Sequence, residues 1–96
     1  MVEPDKDVRA EVIVNGQVQG VWFRAAAVEM ARSLHVRGWV KNRRDGSVEA
    51  IFEGPSDPVQ QAVAWCHHGP QLAQVERVDV RWKDATGEFA AFTVAF

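Results

Sequence analysis

From Gly16 to Arg24 the chain reads Gly-Gln-Val-Gln-Gly-Val-Trp-Phe-Arg, a loop bracketed by two glycines between an alternating run and a helix-like one. Residues of these types at this spacing suit the capture of a phosphate-sized anion. Glycines let successive backbone N–H groups turn toward one point. The unpaired N–H groups of a helix start add to them, and the positive end of the helix dipole favours negative charge. Arg24 then offers a planar fork of donors matched to phosphate oxygens. An ordinary strand-to-helix turn has the same spacing, so the loop needs a second feature before it implies chemistry. Asn42 is the candidate. It shares the inward phase of Val36 and Val40 at a strand's end, and an amide with two donors and an acceptor can orient a water molecule. An asparagine there can equally cap a hairpin through a local side-chain bond.

The elements that must position these residues are legible in the apolar periodicity. Val8, Ala10, Val12 and Val14 alternate with Arg9 and Glu11, the period of a strand with one buried face. Phe23, Ala27, Met30, Ala31 and Leu34 recur at three- and four-residue steps, which predicts an amphipathic helix from Phe23 to Leu34. Two alternating runs follow, Val36-Gly38-Val40 and Val48-Ala50-Phe52, and Arg43-Arg44-Asp45-Gly46 between them predicts an antiparallel hairpin. Asp57 as N-cap, Pro58 at the first helical position and Gln60 predict a second helix, with Val59, Ala62, Val63 and Cys66 facing inward and Gly69-Pro70 ending it. Val78, Val80 and Trp82, then Phe92, Val94 and Phe96, predict two last strands around a polar turn at Asp84 to Glu88.

Strand, helix, strand, strand, helix, strand with one more strand at the end is an α+β order. It predicts a ferredoxin-like βαββαβ sandwich, an antiparallel sheet with two helices on one face and an extra C-terminal strand. The strand-helix-strand crossover sets the C-terminal ends of the first and second strands at the same edge of the sheet. Gln17, Val18, Gln19, Gly20, Val21, Trp22, Arg24 and Asn42 are therefore expected to converge there. A phosphate pocket beside a water-orienting amide suggests hydrolysis of a phosphate ester or anhydride.

Ninety-six residues with 47% hydrophobic content make one small domain, expected over residues 8–96 behind a frayed tail at 1–7. A net charge of −2 argues against a nucleic-acid partner, whose affinity rests on neutralising many phosphates; a small anion needs only one positive pocket. No stretch approaches the roughly 20 apolar residues of a membrane span, and the charged first ten residues do not form a signal peptide. The single cysteine, Cys66, excludes an internal disulfide and fits a cytoplasmic, reducing environment. Cys66-His67-His68 are all metal-ligand types, but neighbours on a helix point about 100° apart. They read as a helix end rather than a metal site. Trp22, Trp39, Trp65 and Trp82 fall on different elements and read as packing residues rather than base-stacking platforms. Trp22 stands apart because it lies inside the loop, where it could wall one side of a pocket.

Two runs carry a family resemblance. Val14-x-Gly16-x-Val18-Gln19-Gly20-Val21-x-Phe23-Arg24, and Gly38-Trp39-Val40-Lys41-Asn42-x-x-x-Gly46-x-Val48 with Gly54 beyond it, resemble the two signature motifs of the acylphosphatase family. The resemblance extends from about Val8 to Phe96. It implies a metal- and cofactor-independent acylphosphate phosphohydrolase on the ferredoxin-like fold, acting as a monomer on a small-molecule substrate. By position it implies that the loop Gln17 to Trp22 and Arg24 hold the phosphoryl group and that Asn42 positions the attacking water. A binding module on the same fold is the rival reading. Another is the acylphosphatase-like domain at the start of a larger carbamoyl-transferring maturation protein; a free-standing enzyme is preferred, since no zinc-type cysteine pairs follow. One departure is visible: the chain closes Val94-Ala95-Phe96, where many family members carry an arginine and an aromatic residue.

Overall fold

The computed structural model describes residues 6–96. In chain order these form β1 (Asp7–Gln17), α1 (Phe23–Ser33), β2 (Arg37–Asn42), β3 (Val48–Pro55), α2 (Ser56–Cys66), β4 (Gln74–Asp84) and β5 (Phe92–Val94). One sheet runs β4-β1-β3-β2-β5. β1 is antiparallel to β3 and β4, and β2 is antiparallel to β3 but parallel to β5. With two helices, this is the α+β ferredoxin-like arrangement, extended by one parallel edge strand.

The alternating residues decide which face is covered. Ala10, Val12 and Val14 of β1, Val40 of β2 and Val48, Ala50 and Phe52 of β3 are buried against Phe23, Ala27 and Ala31 of α1 and Val59, Ala62, Val63 and Cys66 of α2. Burying a Val- or Phe-sized side chain contributes about 1.5–3 kcal/mol, so these registers are strongly specified: a one-residue slip would turn each of them to the other face. Phe92 brings β5 into the same core, stacking on Phe52 with ring centroids 5.3 Å apart.

Several boundaries differ from the sequence-based expectation, each for a physical reason. α1 closes at Ser33, and His35 takes a left-handed conformation (φ 57°). The His35 N–H then donates to the Arg32 carbonyl and the Val36 N–H to that of Ala31, the double bond of a Schellman closure that usually uses glycine. α2 begins at Ser56 with Pro55 at the N-cap and no side-chain cap. Asp57 is thus inside the first turn, where its charge favours the helix dipole, and Gln60 Nε2 donates to Ser56 Oγ at 2.9 Å. Asp7 belongs to β1 and accepts from Arg37 at 2.5 Å, so it is no part of a frayed tail; residues 1–5, on which the rest of that expectation falls, lie outside the described part.

The largest difference concerns the segment after Asp84. Rather than turning back in a hairpin, it joins β4 at one edge of the sheet to β5 at the opposite edge. In crossing the face away from the helices it covers Glu53, which is 1% exposed. Glu53 accepts from the N–H groups of Thr86 and Gly87 at 3.0 and 3.1 Å, from Thr86 Oγ1 at 3.0 Å and from Arg9 at 3.2 Å. Arg9 also bonds Glu11 and Glu88 and lies over the Phe89 ring. Burial alone would raise the Glu53 carboxyl, but these four donors outweigh it and hold the group below its ordinary value of 4.5.

Candidate active site

The end of the sheet opposite Glu53 is built differently. β1 reaches Gln17 through a bulge at Asn15 and Gly16. Gly16 has φ 130°, and a Cβ there would stand 2.1 Å from the Gln74 carbonyl oxygen, so only glycine lets β1 and β4 approach as the chain turns out of the sheet. Gly20 follows at φ 73° with open space where a Cβ would be. Here glycine serves conformation rather than packing.

α1 starts at Phe23 with no side-chain cap and no acidic residue in its first turn. Among the described residues, the backbone N–H groups of Gln19, Gly20, Val21 and Trp22 also make no hydrogen bond. A row of free donors therefore meets the positive end of a helix dipole, an arrangement that attracts an anion. Arg24, half-buried on the first turn, has no ion pair or side-chain hydrogen bond among the described residues. No carboxylate among the described residues neutralises this cation.

Asn42 closes the site from the end of β2. Its Oδ1 is buried without a hydrogen-bond partner. An orphaned buried amide oxygen costs about 1–3 kcal/mol, and a hairpin cap, the alternative for this residue, would have satisfied it. The hairpin is instead held by others. Asp45 Oδ1 accepts from the Ser47 N–H at 2.9 Å and from Ser47 Oγ at 2.5 Å, and these bonds from Ser47 lower the Asp45 carboxyl.

A cavity of about 550 Å³ is lined by Val18, Gly20, Trp22, Phe23, Arg24, Ala25, Asn42, Val94 and Phe96. Of the residues singled out from the sequence, Val18, Gly20, Trp22, Arg24 and Asn42 meet in it. Gln17, Gln19 and Val21 do not line it. Gln17 ends β1 and pairs with Gln74, and Val21 packs toward the core. Gln19 has a role that its position in the motif did not reveal. Its Nε2 donates to the carbonyls of Arg43 at 2.7 Å and Ser47 at 2.9 Å, tying the loop to the hairpin that begins just after Asn42. Val94 and Phe96 are lining residues that sequence reasoning had not placed there. β5 delivers them, because it lies beside β2 rather than beside β4.

Nearly all of the described residues match one family: the acylphosphatase model covers residues 10–94. This chain belongs to the acylphosphatase family. Its members are hydrolases that act on acyl phosphates, and the chain is similar to them over nearly its full length. It is 50% identical over 88 residues to an acylphosphatase of Pelotomaculum thermopropionicum, covering 92% of this chain and 96% of that one. To an acylphosphatase of Roseiflexus it is 54% identical over 86 residues, covering 90% and 92%. The crystal structure of the acylphosphatase from Bacillus subtilis superposes with a TM-score of 0.89 at 32% identity, over 93% of this chain and 99% of that one. The other candidates behave as packing or surface residues. Burial pushes the Cys66 thiol up to about 12, while His67 and His68 are exposed. Among the described residues no group of three or more His, Cys, Asp or Glu could hold a metal ion, and no helix is long and apolar enough to cross a membrane.

Proposed function

We propose that this acylphosphatase-family chain works by placement alone. The loop N–H groups and Arg24 hold the phosphoryl group, and Asn42 orients the water that attacks it. The observation that carries this reading is the buried, unpartnered Oδ1 of Asn42 in the same cavity as an unpaired arginine and an uncapped helix start. Such an oxygen can accept one hydrogen of a water molecule and aim its lone pair at phosphorus.

In the reaction the water oxygen forms a bond to phosphorus as the bond from phosphorus to the acyl oxygen breaks. The acyl group departs as a carboxylate, and the water's proton passes to a phosphoryl oxygen. A carboxylic acid has a pKa of about 4 to 5, so the leaving group needs no general acid. What remains is to align the water and stabilise the equatorial oxygens, where charge collects. No carboxylate, imidazole or thiol lines the cavity, which supports a reaction without a metal cofactor. The working unit is read as one domain over residues 8–96, and its lone buried thiol suits the cytoplasm.

The test is phosphate release from acetyl phosphate and benzoyl phosphate in excess EDTA. Steady turnover is expected. A folded protein that releases no phosphate beyond the uncatalysed rate would remove the proposal.

A further inference from the structure

The loop and Asn42 stand on elements that do not pair with each other. Residues 17–22 leave the end of β1, Asn42 ends β2, and β3 lies between the two strands. Two strand spacings, about 9–10 Å, separate them, and no backbone ladder fixes the loop against Asn42. Alignment of a water with phosphorus tolerates little error, since a misplacement of about 1 Å can cost about 10²-fold in rate. A contact outside the sheet must therefore set the spacing.

The loop offers few other anchors. Val18 and Phe23 are buried on either side of it and Val21 packs partly on the core. Gly20 stands at φ 73° with open space around it, and Trp22 is 75% exposed. Among the described residues, the hydrogen bonds that join the loop to the β2–β3 hairpin are the two donated by Gln19 Nε2, to the carbonyls of Arg43 and Ser47. Asn42 and Val48 form the last ladder pair of that hairpin. The next pair outward is Arg43 with Ser47, where the Arg43 N–H donates to the Ser47 carbonyl and the Gly46 N–H to that of Arg43. Each carbonyl thus serves the turn with one lone pair and Gln19 with the other, and both hydrogens of the amide nitrogen are used.

We propose that Gln19 is a positioning residue for the reaction. Its amide grips the hairpin at the pair next to Asn42, and so sets the distance between the N–H groups that hold the phosphoryl group and the oxygen that orients the water. The proposal rests on the phosphohydrolase reading. Gln19 does not line the cavity, so its loss leaves the phosphate contacts in place and spoils their alignment with Asn42. It acts on kcat rather than on binding.

The experiment measures kcat and KM for acetyl phosphate, and inhibition by inorganic phosphate, in wild type, Gln19→Leu, Asn42→Ala and the double variant. Gln19→Leu removes both donors and is expected to lower kcat by about 10–10²-fold. Its KM and its inhibition constant for phosphate should change by less than about threefold. Added to Asn42→Ala, it should lower kcat by less than about threefold further, since no held water is left to misalign. Gln19→Glu sets a carboxylate of the same size against the two carbonyls and carries the same comparison if Gln19→Leu does not fold. Its kcat, taken relative to wild type, is expected to rise about threefold or more between about pH 7 and pH 5, as the protonated carboxyl regains one donor. An unchanged kcat in Gln19→Leu, a parallel loss of phosphate affinity, or the full loss repeated on Asn42→Ala overturns the proposal. A wild type without turnover removes the phosphohydrolase reading itself; an active wild type whose kcat survives both Gln19 substitutions removes the clamp alone.

Discussion

β3 begins and ends in opposite chemical surroundings. Near its last residues the buried carboxylate of Glu53 receives four donors, and the arginine that pairs with it is itself shared by Glu11 and Glu88. Near its first residues, across from Val48, Asn42 keeps an oxygen with no partner, and Arg24 has no counter-charge among the described residues. Both ends bury polar groups, but only one satisfies them. A satisfied network fixes a fold, whereas unsatisfied groups are retained where a ligand completes them. The first end maintains the architecture; under the proposed function, the second is left incomplete for its substrate.

This contrast can be broken most sharply at the incomplete end. Arg24→Ala and Asn42→Ala are each expected to lower kcat/KM for acetyl phosphate by about 10²–10³-fold. Arg24→Ala should raise KM as well as lower kcat, whereas Asn42→Ala should act mainly on kcat. Since Asn42→Ala removes an orphaned oxygen, its urea midpoint should equal or exceed that of wild type. A loss of both activity and stability in Asn42→Ala would show that the amide is part of the scaffold.

The opposite end should respond in the opposite sense. Arg9→Met strands the Glu53 carboxylate under the crossover and is expected to cost about 3–5 kcal/mol in urea unfolding, while the protein that remains folded keeps its kcat. The pH dependence sharpens this. The Glu53 carboxyl is lower in the folded protein than its ordinary 4.5, as is Glu11, bonded first by Lys83. Their stabilisation is therefore complete above about pH 4.5 and declines as pH falls through the folded values. Glu53→Gln should flatten that acid limb; an unaltered profile would mean that Glu53 does not drive it. Between the two ends in magnitude stands Gly16→Ala. With a Cβ 2.1 Å from the Gln74 oxygen, overpacking of about 1–3 kcal/mol is expected, together with a rise in KM as the loop shifts. The smallest effect belongs to His35→Gly, which relieves a left-handed histidine at the C-terminal end of α1, remote from the cavity. It should add about 0.5–1 kcal/mol to stability and leave kinetics alone.

Most of the incomplete end was legible in the chain itself. Alternation assigned Asn42 to the inward phase of β2, and the switch from a two-residue to a 3.6-residue period at Phe23 set the loop between strand and helix. The polar end was not. Arg9, Glu11 and Glu53 fall in the phase that a one-sided sheet gives to water, and Arg9 and Glu53 are covered because residues 85–91 cross that face. No periodicity marks such a crossing, since a short polar segment between two strands is also what a hairpin turn looks like. The Asp57 cap failed for a related reason: Ser56, Asp57 and Pro58 offer several adjacent start signals, and packing chose the earliest. The tie from Gln19 to Arg43 and Ser47 depends on how two loops meet in space, so the motif alone could only suggest a ligand.

The crossover also bears on the order in which the site is assembled. β5 lies beside β2 at the edge opposite β4, joined to β4 through residues 85–91, and pairings so distant in sequence are slow to form. The loop 17–22, α1 and the β2–β3 hairpin come from the first half of the chain; Val94 and Phe96 come from its last residues. During refolding, capture of inorganic phosphate is therefore expected to return before the Val94 and Phe96 side of the cavity is in place. Completion of the cavity wall would then report the arrival of the final strand.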